Sequence, residues 1–398
     1  MKKLMVAVLF LISMLALGAC NSSSETTSKD NSKDKSSGTI KIAGIFSSSG
    51  GAAPLGEPGL ETLKMVVENQ NKEGGINGKK VELITYDDKS DQNEAVLAMK
   101  KAITQDKVSV VIGGTISGNA LAMVPLAEQN KVPFIATSSS FQIYQKEDGS
   151  SRDWVFKVPP NDSHAVEKIL QYLKDKGLKK VAWLNVSNSF GTGAHTEFKK
   201  MASKYGIEAV IEDEFEVTVK DAKPMLTRVK KENPEVIIVW GTVQESSVVI
   251  KNIRELGIEL QIVGSHAIGS EQLIKLAGNA ANDVVFPSGK LIVADQLKDK
   301  DPQKEVLLKY KKMYEEKYNK GVSLFGAHPW DAFFMLKEAV EKKGTDPKGI
   351  KDYFENDLGE FVGLNGIFKI SPKNHNGLTT ESSLVMVRIK DGKWTIED

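Results

Sequence analysis

The feature that most constrains this chain is a regular alternation of short, β-rich apolar runs with longer segments of helical periodicity. Strands are predicted at residues 40–46, 81–86, 108–112 and 133–136. Helices are predicted between them, at residues 60–72, 93–104 and 120–129. Strands and helices in strict succession predict βαβ units and a parallel sheet.

The same pattern restarts near residue 181. Strands are predicted at residues 181–185, 209–211, 236–240 and 261–264, with helices at 195–205, 222–232 and 246–256. After about residue 288 the pattern becomes helical, over 306–318, 330–342 and 350–355, and a hairpin over 384–389 and 393–396 closes the chain. Two successive series favour an α/β fold of two doubly wound parallel-sheet lobes. Open parallel sheets bind ligands beyond the carboxyl ends of their strands, so a ligand cleft is expected between the lobes.

The amino terminus has the pattern of a secretory signal. Lys2 and Lys3 precede an apolar run over residues 4–15, and the stretch Leu17-Gly18-Ala19-Cys20 follows. Small residues that end at a cysteine resemble the bacterial lipobox, which implies lipid attachment to Cys20 and cleavage just before it. The apolar run is shorter than the roughly 20 residues of a spanning helix. Residues 1–19 are therefore predicted to be a signal peptide, and the Ser- and Thr-rich residues 20–38 a flexible tether to the outer face of the bacterial cell membrane.

Several classes of function are excluded by what the sequence lacks. It contains no GxxxxGK[ST] phosphate loop, no GxSxG elbow and no HExxH motif, and its single cysteine rules out a CxxC metal site. Its five histidines have no metal-ligand spacing, and the net charge of +1 gives no argument for nucleic acid. The chain is therefore interpreted as a binding protein without a metal or cofactor, not as an enzyme.

A recurring loop gives the positive evidence for a ligand site. Glycine, serine and threonine follow three buried strands of the first series directly, over residues 47–51, 113–119 and 137–140. Each loop leads to a helix, where free backbone N–H groups and hydroxyls can bind an anion. Any one such loop is more simply an ordinary helix cap. Three at one sheet edge predict a pocket for a carboxylate.

Several stretches in sequence carry a family resemblance. They are Ile42-Ala43-Gly44, Gly74-Gly75-Ile76-Asn77-Gly78-Lys79, Tyr86-Asp87-Asp88, Val110-Val111-Ile112-Gly113, Val132-Pro133-Phe134-Ile135, Ser189-Phe190-Gly191-Thr192-Gly193 and Trp330-Asp331-Ala332-Phe333-Phe334. In their order and spacing, the chain resembles the leucine/isoleucine/valine-binding family of type I solute-binding proteins over nearly all of residues 39–398.

The resemblance implies an organisation and a role. Lobe 1 would comprise residues 39–158 and 288–362, lobe 2 residues 159–287 and 363–398, and three crossing strands would join them. Such a protein binds a small carboxylate ligand of the branched-chain amino acid class by lobe closure. It delivers the ligand as a monomer to an ABC permease and its ATPase.

The resemblance also assigns site residues by position. Hydroxyls and N–H groups of two of the loops would hold the ligand carboxylate, an aromatic of lobe 2 would cover the ligand, and apolar side chains would shape its other end. The candidates are, in that order, Thr115, Ser117, Ser138 and Ser140; Phe190; Leu55 and Trp240.

One position departs from the family pattern. Amino-acid binders of this family carry an acid for the ligand ammonium where this chain has His266, and an imidazole is a poor partner for a cation. Either Glu245 or Asp331 supplies the pairing, or the ligand is an aromatic or 2-oxo carboxylate without an ammonium, with His266 or His328 as an added contact. A ligand-sensing receptor on the same fold and a lipid-anchored hydrolase are the other functions left open.

Overall fold

The computed structural model describes residues 38–397, so the predicted signal peptide, Cys20 and nearly all of the predicted tether lie outside the described residues. The first sheet is parallel throughout. Its strands are β1 (Ile40–Phe46), β2 (Val81–Asp87), β3 (Val110–Gly113), β4 (Phe134–Ala136) and β5 (Val155–Lys157), in the spatial order β2-β1-β3-β4-β5. The connecting helices are α1 (Ala53–Lys72), α2 (Gln92–Thr104) and α3 (Ser117–Asn130).

The chain then builds a second sheet of the same kind. Its parallel strands are β6 (Lys180–Val186), β7 (Glu208–Phe215), β8 (Val236–Trp240), β9 (Gln261–Gly264) and β10 (Val285–Ser288). Its helices are α4 (Asp162–Asp175), α5 (Ser189–Met201), α6 (Lys223–Lys231), α7 (Val243–Glu255) and α8 (Glu271–Ala277). Every residue of the central strand β8 is buried, as expected for a parallel strand covered on both faces.

The remaining chain returns to the first sheet and ends on the second. It contains α9 (Lys304–Tyr318), α10 (Leu324–Lys343), α11 (Pro347–Asp352), a small ladder of β11 (Phe361–Val362) and β12 (Ile367–Phe368), α12 (Thr380–Ser383), β13 (Val385–Lys390) and β14 (Lys393–Ile396). Helix α10 packs on α1, while β13 and β14 add antiparallel strands to give the order β14-β13-β10-β9-β8-β6-β7. The predicted two-lobed, doubly wound architecture is confirmed.

The chain passes between the sheets three times, and these passages are joined to one another. The Lys157 N–H donates to the His375 carbonyl at 3.0 Å, and the Asn376 amide donates to the Pro159 carbonyl at 2.8 Å. Ser288, at the end of β10, pairs with Val385 at the start of β13. The three passages therefore lie side by side, which is the arrangement of a hinge.

The return passage lies later in the chain than the resemblance implies. Leu364, Phe368, Ile370 and Leu378 pack in the core of the first lobe with Phe156 and Phe354. A lobe boundary at residue 362 would assign these four side chains to the wrong core. We propose that lobe 1 extends to about residue 378 and that lobe 2 resumes after it.

A glycine at the end of β3 makes a testable contribution to this fold. Gly113 has φ +148°, and a Cβ added there would lie 1.9 Å from the Ile45 carbonyl oxygen. We expect Gly113→Ala to lower the free energy of unfolding by roughly 2–4 kcal/mol through strain and displacement of β1. Urea unfolding of the variant and of the wild type would measure this difference in the free energy of unfolding. Gly51→Ala is the control, since its added Cβ meets nothing within 4 Å, and equal stabilities of the two variants would contradict the steric account.

Candidate functional site

A cavity of about 440 Å³ lies between the two lobes. Its walls come from the loops and helix starts that follow β1 to β4 in lobe 1 and β6 to β9 in lobe 2, together with Phe325 at the start of α10. This is the predicted cleft at the carboxyl ends of the strands. Among residues 38–397, no group of three or more His, Cys, Asp or Glu side chains could hold a metal ion.

Five of the candidate residues line this cavity. They are Leu55, Thr115, Ser117, Ser138 and Phe190. They come from both lobes, so the structure brings the predicted hydroxyls and the predicted apolar contacts to one place. Leu55 also packs against the core of lobe 2, which means that the lobes touch beside the cavity.

The polar end of the cavity is formed by two loops of lobe 1. Ser117 is the first residue of α3, whose N-cap Ile116 makes no side-chain capping bond, so the N-cap side chain satisfies none of the N–H groups that begin this helix. The buried Ser138 hydroxyl has no hydrogen-bond partner among the described residues. Thr115 Oγ1 accepts from the Ser47 N–H at 3.0 Å, which fixes its loop to the one after β1. Hydroxyls and helix N–H groups gathered in this way suit a carboxylate.

The loop after β1 has a supporting role. The Ser47 hydroxyl donates to Asp88 Oδ1 at 2.6 Å, and the Ser49 hydroxyl donates to Asp87 Oδ2 at 2.6 Å. Both carboxylates thus hold the loop, although Asp88 Oδ2 has no partner among the described residues, and of residues 47–51 only Gly51 lines the cavity. Asp87 and Asp88 are structural residues here.

Two candidates lie behind the cavity wall, contrary to expectation. The buried Ser140 hydroxyl faces α5, where it would lie 3.8 Å from a Cβ on Gly193. Trp240 is fully buried, with its ring centroid 5.7 Å from that of Trp183 and 5.5 Å from that of Phe190. Trp240 therefore packs against Phe190 and is not among the residues that line the cavity.

His266 also lies outside the large cavity. Its Nε2 is 2.8 Å from the hydroxyl of Ser139, a residue of the opposite lobe that lines the cavity. Burial, reinforced by the positive charge of Lys157 and by His328 and His164, lowers the pKa of His266 to about 3. The imidazole is accordingly neutral near pH 7, and it positions the Ser139 hydroxyl through a hydrogen bond between the lobes.

His328 is no closer to the large cavity. It lies with His266 on a separate cavity of about 30 Å³, and its Nδ1 is 2.7 Å from the side-chain Oδ1 of Asn365. The suggested ligand contacts of His266 and His328 are therefore not made from the wall of the large cavity.

The two acids considered for the ammonium are placed very differently. Asp331 is fully buried in α10 and accepts hydrogen bonds from the N–H groups of Leu364 and Asn365 at 2.7 and 2.8 Å. Glu245 lines the cavity from the first turn of α7, where it forms a capping box with Thr242. Only Glu245 is in a position to meet a ligand.

Comparison with known proteins gives a consistent result. A family model described as periplasmic binding protein matches residues 39–393. The leucine-, isoleucine-, valine-, threonine- and alanine-binding protein of Pseudomonas aeruginosa is 24% identical over 321 residues, which cover 79% of this chain and 81% of that protein.

Solved structures share the fold. The branched-chain amino acid transporter substrate-binding protein LivJ of Streptococcus pneumoniae, in complex with isoleucine, matches with a TM-score of 0.78 and 25% identity over 90% of this chain and 99% of that one. A solute-binding protein of an ABC transporter from Rhodopseudomonas palustris BisB5, in complex with 3,4-dihydroxybenzoic acid, matches with a TM-score of 0.77 and 22% identity over 90% and 96% of the two chains.

The neutral state of His266 leads to a prediction about pH. Its pKa is lowered in the folded protein, so the unfolded chain binds the proton more tightly, and the stabilising effect is present above about pH 6.5 and is lost as the pH falls toward about 3. The stability advantage of the wild type over His266→Gln should shrink on acidification by up to about 1.4 kcal/mol per pH unit. Urea unfolding of both proteins at about pH 7, 6 and 5 measures it. An advantage that is constant or grows on acidification would contradict the assignment.

Proposed function

This chain belongs to the periplasmic binding protein family, and from that membership we propose that it binds a hydrophobic or branched-chain amino acid and delivers it to an ABC importer. The observation that carries the proposal is one cavity with hydroxyls and a helix N-terminus at one end and apolar side chains from both lobes at the other. The names of the relatives in Pseudomonas and Streptococcus support the same ligand class.

The carboxylate of the amino acid is proposed to lie at the start of α3. There it would accept hydrogen bonds from the hydroxyls of Ser117 and Ser138 and from the N–H groups of the first turn. The helix dipole favours negative charge at this end, so the site can hold a carboxylate without a lysine or arginine.

The aliphatic side chain of the ligand is proposed to lie against the apolar wall. Leu55 and Phe325 of lobe 1 and Phe190 and Val217 of lobe 2 line the cavity and could enclose it. Roughly nine ligand atoms at just under −1 kcal/mol each would give about −8 kcal/mol, a micromolar affinity below the usual ceiling per atom.

Transport would follow from lobe closure. A ligand that contacts both lobes binds the closed form better than the open form, so it shifts the hinge equilibrium toward closure. The closed form is proposed to dock on the permease, whose ATPase supplies the energy. An energy supply from a separate ATPase agrees with the sequence of this chain, which has no phosphate loop of its own.

The protein is proposed to work at the outer face of the membrane. Family membership implies a location outside the cytoplasm, and the predicted signal peptide over residues 1–19, followed directly by Cys20, supports a lipid anchor. No helix within residues 38–397 is long and apolar enough to cross a membrane.

Calorimetric titration with L-leucine, L-isoleucine and L-valine tests the ligand class and the carboxylate site together. Ser117→Ala and Ser138→Ala should each weaken binding by about 1–3 kcal/mol, or about 5- to 150-fold, because a bound carboxylate oxygen would lose its partner. The exposed Ser203 gives a matched control, and Ser203→Ala should bind as the wild type does. Unchanged affinity in both cavity variants would remove the carboxylate from this loop pair.

Metabolic labelling with palmitate tests the anchor. The full-length chain expressed in bacteria should incorporate label and sediment with membranes, since two or more acyl chains hold a protein stably on a bilayer. Cys20→Ser should abolish both properties. A labelled or membrane-bound Cys20→Ser protein would show that the attachment lies elsewhere.

A further inference from the structure

The charge of the cavity wall is unusual for a site that receives an anion. Of the residues described as lining it, Glu245 is the only aspartate, glutamate, lysine, arginine or histidine, and the rest are glycine, apolar or neutral polar residues. The hydroxyls and N–H groups of lobe 1 can hold a carboxylate without formal charge. The one formal charge of the wall is therefore negative and belongs to lobe 2.

The contacts of Glu245 leave it able to bind a ligand. The residue is 2% exposed and sits at the third position of α7, where its Oε1 accepts from the Thr242 N–H at 2.6 Å. The Thr242 hydroxyl lies 2.9 Å from both Oε1 and Oε2. One hydroxyl hydrogen can serve only one of these oxygens at a time, so Oε2 keeps lone pairs for a further donor.

Among the described residues, no other acid lines the cavity. Asp331 is enclosed by the N–H groups of Leu364 and Asn365, and Asp87 and Asp88 are bound to the serines of the loop after β1. His266, at the position where the resemblance implies an acid, is neutral and bonded to Ser139.

We propose that Glu245 of lobe 2 binds the ammonium group of the ligand and so selects α-amino acids over the 2-oxo acids of the same shape. The inference rests on the proposed function and assigns the cation-binding group within the same cavity. The ligand carboxylate is held by lobe 1 and its ammonium by lobe 2, so a zwitterion bridges the lobes. A 2-oxo acid would bring a second negative charge to the wall beside Glu245 and gain no ion pair.

Glu245→Gln tests this assignment, because glutamine can keep the capping bond to the Thr242 N–H while it removes the charge. We propose to titrate the wild type and the variant with L-leucine and with 4-methyl-2-oxopentanoate. The wild type should bind L-leucine at least about tenfold more tightly than the oxo acid. In the variant, L-leucine should weaken by about 10- to 100-fold, while the oxo acid should bind unchanged or more tightly.

A matched control separates this role from a structural one. Glu271 is also a first-turn glutamate of a lobe 2 helix but does not line the cavity, so Glu271→Gln should leave the affinities for both ligands unchanged. If Glu245 only caps α7, Glu245→Gln would weaken both ligands to the same degree or neither, and either result overturns the proposal. The selectivity of the wild type requires no variant, so it tests the proposal even where Glu245→Gln fails to fold.

The outcomes also distinguish this inference from the proposed function. A wild type that binds L-leucine tightly, with a variant that does the same, overturns the role of Glu245 and leaves the amino-acid assignment intact. A wild type that binds the oxo acid or an aromatic acid in preference to every amino acid overturns both.

Discussion

The structure depends on one constraint, which is that parallel strands joined by helices all end at the same edge of their sheet. Each lobe obeys it, and the two edges face each other across the cavity. Loops such as the one that carries Ser117 and the one that carries Ser138 are brought together by this topology alone. Because α3 begins directly at Ser117, its first N–H groups lie at the same edge as the Ser138 hydroxyl, and a neutral wall can hold an anion.

The hinge depends on the hydrogen bonds among the three passages of the chain between the lobes. Lys157, at the end of β5, is buried, and burial lowers its pKa. Its Nζ donates a hydrogen bond to the Pro159 carbonyl at 2.6 Å. The Asn376 side chain donates to the carbonyls of Lys157 and Pro159, so the first and third passages form a polar network, and His266 contacts Ser139 across the lobes. A small motion about such a network can move a whole lobe, so a ligand that touches both walls can shift the position of the hinge.

The sequence predicted the two-lobed fold and the serine loops, because both follow from local patterns: periodicity for the elements, and polar residues directly after buried strands. It missed the helices α4 and α8, and it missed β5 and β10, which are only three and four residues long. Ser138 and Ser140 could not be told apart, because the direction of a side chain in a loop depends on tertiary packing. Glu245 has the spacing of a capping box, and only the structure shows that the same residue lines the cavity.

The central claim is that lobe 1 holds the carboxylate of an amino acid while Glu245 of lobe 2 holds its ammonium group. A crystal structure of the protein grown with L-leucine tests it most directly. We expect the ligand carboxylate within about 3 Å of the hydroxyls of Ser117 and Ser138, and the ammonium within about 3 Å of Glu245. A ligand bound in the reverse orientation, or bound outside the space between the lobes, would contradict the account.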